Sequence, residues 1–165
     1  MKNFELRYGG AKLYFGSGVI RNLTRHLGGV RQAIIATGRN SARLSGALED
    51  VEKLLKKAGI DYKIFDRIKP NPTVDVADDL AEMAWKEGSD CIIAIGGGSV
   101  IDVAKVSSII ALNGGCASDY LKGMEIKRYL PLFVVNLTHG TGSEVDRYAV
   151  LTENKSKVGI SARYP

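Results

Sequence analysis

The chain has 165 residues, 45% of them hydrophobic and 25% charged, and carries a net charge of +5. Those proportions are of a soluble globular protein long enough to bury a core in one domain, residues 1–165, and no apolar run approaches the ~20 residues a membrane helix needs. The basic excess is dispersed among acids, as in EDVEKLLKKAG, with no stripe of cations interleaved with aromatics. That pattern speaks against nucleic acid and suits a solvated surface or a phosphorylated small ligand.

From the start, FELRY and AKLYFG flank Gly9-Gly10, a hairpin signal. SGVIRNLTRHLGG predicts a helix with Ser17 as N-cap and Gly28-Gly29 as its stop. QAIIATG is a buried strand. SGALEDVEKLLKKAG is an amphipathic helix with Leu48, Val51, Leu54, Leu55 and Ala58 on one stripe and Gly59 at its end. IDYKIFD is the next strand, PNPT breaks the chain, and VDVADDLAEMAWKEG is a helix with Thr73 as a candidate cap. CIIAI is a second buried strand, followed by the helix SVIDVAKVSSIIALNGG. PLFVVNL is a strand ahead of the glycine-containing turn THGTGSE, and the last segment reads as two strands around Glu153 to Ser156. Strands alternating with helices imply a Rossmann-like parallel sheet covered on both faces, an α/β domain with an N-terminal hairpin.

The first ten residues lack the apolar stretch of a signal peptide, so export is not expected. Cys91 and Cys116 have no metal-ligand spacing. Cys91 lies in an apolar run and reads as a buried thiol, consistent with a reducing cytoplasm.

In a parallel sheet, ligands sit at the carboxyl ends of the strands. Gly96, Gly97 and Gly98 fall there, just before a helix whose N-terminus offers free N–H groups and partial positive charge. Glycines allow unusual backbone angles and a close approach to a ligand. Ser99 and Asp102 have the spacing of a capping box, so Gly-Gly-Gly-Ser reads either as a tight turn and cap or as a phosphate seat. Neither the Walker loop nor the Gly-x-Gly-x-x-Gly fingerprint fits: Lys105 is too far along, and Ile101 replaces the third glycine. A second loop, NLTHGTGSEV, places Thr138, Thr141 and Ser143 at another strand end, so hydroxyls and amides of both loops are expected to converge on one crevice.

PNPT, GGGSVIDVAK and THGTGSEV, in this order and spacing, resemble the iron-containing (group III) alcohol dehydrogenases, of the superfamily that includes glycerol dehydrogenase and dehydroquinate synthase. The resemblance spans nearly the whole chain. It implies a nicotinamide cofactor, with Gly97, Gly98 and Ser99 holding the pyrophosphate, Asp102 fixing the loop, and Asn71 approaching from the PNPT turn. It also implies that Thr138 and Thr141 line the crevice and that Val150 and Lys157 lie near the nicotinamide. Lys157 also reads as an ordinary exposed strand lysine. Where NAD-preferring members carry an Asp after the first parallel strand, this chain has Gly38-Arg39-Asn40-Ser41. Loss of the carboxylate, with Arg39 and Ser41 as donors, predicts NADP over NAD, although Arg39 also fits a solvated turn. His139, where a small residue is usual, either stacks on the cofactor or faces solvent, and solvent is favoured; His26 is structural or a surface residue.

The resemblance further implies Fe²⁺ or Zn²⁺ held by an Asp and three His of a helical second domain, which this segment does not include. No catalytic residue and no metal ligand is therefore assigned here. The expectation is an N-terminal cofactor-binding part of an NAD(P)-dependent alcohol dehydrogenase acting on a small alcohol or aldehyde, without nucleic acid or membrane as partner, inactive alone, and either self-associating or docking to the metal-binding domain. A stand-alone nucleotide-binding module, a domain that has lost ligand binding, and a part of a glycerol dehydrogenase or maleylacetate reductase are the other readings.

Overall fold

A strand buried on both faces needs helices on both sides, and the order of the strands decides which helix goes where. The structure, a computed structural model, describes residues 3–8 and 10–161. Gly9 of the expected hairpin turn and Pro165 of the expected domain lie outside the described residues. Strands β1 (Phe4–Tyr8) and β2 (Ala11–Phe15) form the hairpin. Strands β3 (Gln32–Thr37), β4 (Asp61–Phe65), β5 (Cys91–Gly96) and β6 (Leu132–Asn136) form a parallel sheet in the order β4-β3-β5-β6. A second hairpin, β7 (Tyr148–Glu153) and β8 (Ser156–Ser161), follows. Its turn residues Asn154 and Lys155 both have positive φ, as a tight two-residue hairpin connection requires.

Helices fill the crossovers: α1 (Ser41–Leu44) and α2 (Ala47–Ala58) between β3 and β4, α3 (Val74–Lys86) between β4 and β5, and α4 (Gly98–Asn113) and α5 (Ala117–Leu121) between β5 and β6. The chain steps outward from β3 to β4 and then back past β3 to β5. Right-handed connections running in opposite directions put α2 on one face and α3 and α4 on the other. Side-chain alternation follows: Ile34, Ala36, Ile92 and Ala94 pack under α3 and α4, while Ala33, Ile35, Cys91, Ile93 and Ile95 pack under α2. The Cys91 thiol is fully buried, and burial pushes its pKa up to about 12, so it is unreactive.

Local details depart from the sequence reading. Val19–His26 is a 3-10 helix, and Gly18, at φ 69°, occupies the N-cap position expected for Ser17, with no side-chain cap. Thr73 does precede α3, but its hydroxyl makes no cap bond. In α2, Leu48, Val51 and Leu55 are buried while Ala58, at the last turn, is exposed. The short helices α1 and α5 have too few residues to show a periodicity.

At the opposite end from the ligand side, Asp90 binds two strands together. Its carboxylate accepts the amides of Arg31 (2.7 Å) and Gln32 (3.0 Å) where β3 begins. These two hydrogen bonds, Arg31 first, hold its pKa below the usual carboxylate value. A lowered folded pKa stabilises the fold above the unfolded value and is lost as the pH falls through the folded one. Asp90→Asn is expected to reduce the unfolding free energy by about 1 kcal/mol at neutral pH. The urea midpoints of variant and parent should converge in acid, and equal midpoints at pH 7 would exclude this role.

Candidate functional site

The strand order reverses between β3 and β5, and a reversal of this kind leaves a crevice outside the carboxyl ends of the two strands. An open cleft of about 450 Å³ lies there. Gly38, Arg39, Asn40 and Ser41 line it from the end of β3, Ile68, Lys69 and Pro70 from the turn after β4, and Gly97, Gly98, Ser99 and Val100 from the end of β5, with Thr138 from the loop after β6. The lining has two cations, Arg39 and Lys69, and no carboxylate.

The glycines serve space rather than backbone angle. None of Gly96, Gly97 and Gly98 has a positive φ, and Gly97 is extended, at φ −96° and ψ −168°. A Cβ on Gly96 would stand 2.5 Å from Val100 Cγ2, one on Gly97 3.3 Å from Thr138 Cβ, and one on Gly98 2.8 Å from Thr141 Oγ1. Gly38 is similar, since its Cβ would meet the Ile68 carbonyl at 3.0 Å. Side chains of Val100, Thr138 and Thr141 therefore take up the space that a Cβ on Gly96, Gly97 or Gly98 would need, and at Gly38 a backbone carbonyl does so.

Helix α4 opens into this cleft with Gly97 as N-cap, and its first backbone bonds are donated by Val100 (2.9 Å) and Ile101 (3.2 Å) to the Gly97 carbonyl. The amides of Gly98 and Ser99 come before that ladder, where a helix has unsatisfied donors and positive potential. The capping box expected from Ser99 and Asp102 does not form, because both residues already lie within the helix. Next to Gly96 in register, Asn136 has a buried Nδ2 without a hydrogen-bond partner, a spare donor at the same strand ends.

Asp102 works one layer below. It accepts from the Ser143 hydroxyl and from the Val150 amide (3.0 Å), tying α4 to the loop after β6 and to β7. One turn on, the buried Lys105 donates to Ser143 Oγ (3.1 Å), Asp146 Oδ1 (2.8 Å) and the Tyr148 carbonyl (2.7 Å). Burial raises the Asp102 pKa, opposed by the hydrogen bonds from Ser143 and Val150 and by the charge of Lys105. Ser143 is thus a buried link and not a crevice hydroxyl as expected. The sequence reading missed the roles of Lys105 and Asp146, although a lysine in the middle of an apolar helical run signals a buried charge that needs a partner.

The remaining expected residues do not line the cleft. Thr141 stands over Gly98 and its Oγ1 accepts from the Ser143 amide at 3.3 Å. Asn71 is exposed in the left-handed region, at φ 53°, beside Pro72, whose carbonyl accepts from Thr152 of β7 (2.8 Å). Val150 and Lys157 are exposed on the second hairpin. His139 is exposed with its ring 5.9 Å from that of Phe15, and His26 is bonded to the Tyr14 hydroxyl at 2.9 Å. Among the described residues, no group of three or more His, Cys, Asp or Glu side chains is placed to hold a metal ion.

The family model for iron-containing alcohol dehydrogenases matches residues 10–165. A long-chain primary alcohol dehydrogenase of Thermoanaerobacter ethanolicus is 37% identical over 99% of this chain and 44% of its own length. Alcohol dehydrogenase 4 of Schizosaccharomyces pombe is 35% identical over 89% of this chain and 35% of its own. Among solved structures, an NADH-dependent butanol dehydrogenase of Thermotoga maritima superposes with a TM-score of 0.84 at 30% identity, covering 97% of this chain and 44% of that one. The chain thus spans less than half the length of these relatives.

Lys105→Met keeps the bulk of the side chain and removes its charge, leaving Ser143, Asp146 and Asp102 without their common cation. The variant is expected to lose on the order of 3 kcal/mol of stability by urea denaturation. A loss under 0.5 kcal/mol, roughly that of a surface change, would mean that the buried cation does not hold the loop.

Proposed function

The chain belongs to the iron-containing alcohol dehydrogenase family, and on that premise we propose that it is the dinucleotide-binding part of an NAD(P)- and metal-dependent alcohol dehydrogenase. The observation that carries the reading is the carboxylate-free cleft at the strand-order reversal, with the start of α4 opening into it. A pyrophosphate seated on the amides of Gly98 and Ser99 gains from both the free donors and the helix dipole. The absence of side chains on Gly97 and Gly98 gives it room, and Thr138 closes the side toward β6. Asp102 is a positioning residue on this reading. It holds Val150 and the loop of Thr141 at their height above the cleft.

The bound dinucleotide supplies a hydride acceptor at its nicotinamide, and a small alcohol or aldehyde is the substrate class. Val150, Lys157 and Asn71, on one side of the domain through the Pro72–Thr152 contact, are assigned to the nicotinamide end. The residues present do not fit the Fe²⁺ or Zn²⁺ of the family, and its ligands are assigned to sequence beyond the described residues. Two free cysteines, Cys91 and Cys116, fit a cytoplasmic setting. No helix among the described residues is long and apolar enough to cross a membrane.

NADP is favoured over NAD. Arg39 and Ser41 line the cleft at the end of β3, where a ribose carboxylate partner would otherwise stand, and Lys69 adds a second cation. Calorimetry on the purified chain should give a lower Kd for NADPH than for NADH. Arg39→Ala should weaken NADPH roughly tenfold and leave NADH nearly unchanged. Tighter NADH binding by the parent chain would refute the preference. With Fe²⁺ or Zn²⁺ added, binding without alcohol oxidation is expected, and robust turnover by this chain alone would refute the assignment of metal ligation and catalysis to residues other than these.

A further inference from the structure

The edge of β7 that faces away from β8 runs along α4. Glu153 and Ser156 close the two-residue connection between the strands, and alternation from that pair turns the backbone groups of Tyr148, Val150 and Thr152 away from β8. The middle turns of a helix have no free backbone groups to offer such an edge, so side chains must supply the partners. Asp102 of α4 accepts from the Val150 amide (3.0 Å) and Lys105 donates to the Tyr148 carbonyl (2.7 Å). Asp146 Oδ1 accepts from the Tyr148 amide (2.9 Å), and beyond the helix the Pro72 carbonyl accepts from the Thr152 amide (2.8 Å).

The Asp102 contact by itself does not fix the register. An amide on this edge recurs every second residue, about 6.8 Å along the strand, so one carboxylate could hold Tyr148 or Thr152 as well as Val150. The ion pair of Lys105 and Asp146 (2.8 Å) removes that freedom. Asp146 precedes Tyr148 by two residues and bonds its amide, so the lysine that meets Asp146 also meets the Tyr148 carbonyl. Val150 then falls opposite Asp102.

We propose that this ion pair sets the register of β7, and that Asp146 is a positioning residue for the nicotinamide end of the cleft, acting through Val150. The inference rests on the assignment of Val150 to that end under the proposed function. The two partners are unequally buried, the side chain of Lys105 being 4% exposed and that of Asp146 35%. Without Asp146 the lysine keeps Ser143 (3.1 Å) and the Tyr148 carbonyl, so the fold survives. The Tyr148 amide loses its acceptor, and β7 loses the contact that distinguishes one register from the next. The phosphate seat is spared, because Gly98 and Ser99 belong to α4 and the Ser143–Asp102 bond does not involve Asp146.

The test compares NADPH with 2′-phospho-ADP-ribose, which lacks only the nicotinamide, by calorimetry on the 165-residue chain; NADH and ADP-ribose replace them if the parent prefers NADH. Asp146→Ala should raise the Kd for NADPH roughly tenfold and that for 2′-phospho-ADP-ribose by less than about twofold. Asp146→Asn keeps an oxygen acceptor and should cost NADPH only about threefold, again sparing the shorter ligand, so it carries the comparison if circular dichroism shows Asp146→Ala unfolded. A merely structural role would weaken both ligands alike. Equal losses for the two ligands, or no loss for NADPH, overturn the inference and leave the proposed function standing. A parent chain that binds neither ligand overturns both.

Discussion

A lysine and an aspartate three positions apart on one helix fix the geometry of everything above them. From α4, Lys105 donates to Ser143, Asp146 and the Tyr148 carbonyl, while Asp102 accepts from Ser143 and the Val150 amide. From Val100 to Ile110 every residue of the helix but Asp102 is buried, so these charges have little water to return to. Their satisfaction depends on the loop after β6 being in place. The loop in turn sets Thr138 and Thr141 against Gly97 and Gly98. A buried ion pair adds little net stability compared with apolar packing, but it tolerates few alternative arrangements, and a loop with two glycines, Gly140 and Gly142, needs that restriction.

The cleft owes its character to what is left out of it. Removing Cβ atoms from the start of α4 brings two loops within contact distance, and leaving carboxylates out of the lining gives the helix dipole and two cations an uncontested field. Neither effect depends on a single strong contact. A ligand with several anionic groups in a row, as proposed, would use the whole surface from Arg39 to Thr138.

The two hairpins sit outside the sheet and link it to other surfaces. β7 is bound to the domain through Asp102, through the carbonyl of Pro72 and through Ser118, which bonds Glu153. It still exposes Tyr148 and Val150. β1 exposes a complete apolar face with one acid and one base between. In a chain that spans less than half of its relatives, outward-facing apolar strands are the places to look for what it meets next.

The sequence alone determined the elements of the sheet, the two glycine loops and the family, because apolar runs, period and glycine placement are local signals that survive without tertiary context. It also located Gly38, Arg39, Ser41, Gly97, Gly98, Ser99 and Thr138, all of which line one cleft. Caps and roles proved harder. Ser17 and Ser99 have capping chemistry, but whether a hydroxyl caps depends on where the helix starts, and here glycines at 18 and 97 took those positions. Ser143 looks like a crevice hydroxyl in sequence and is a buried link in the structure, because its neighbour Lys105 is 38 residues away along the chain. Only the folded chain could bring Lys69 beside Arg39 or Asp102 under Val150, since contacts between strand ends depend on strand order, which no local pattern encodes.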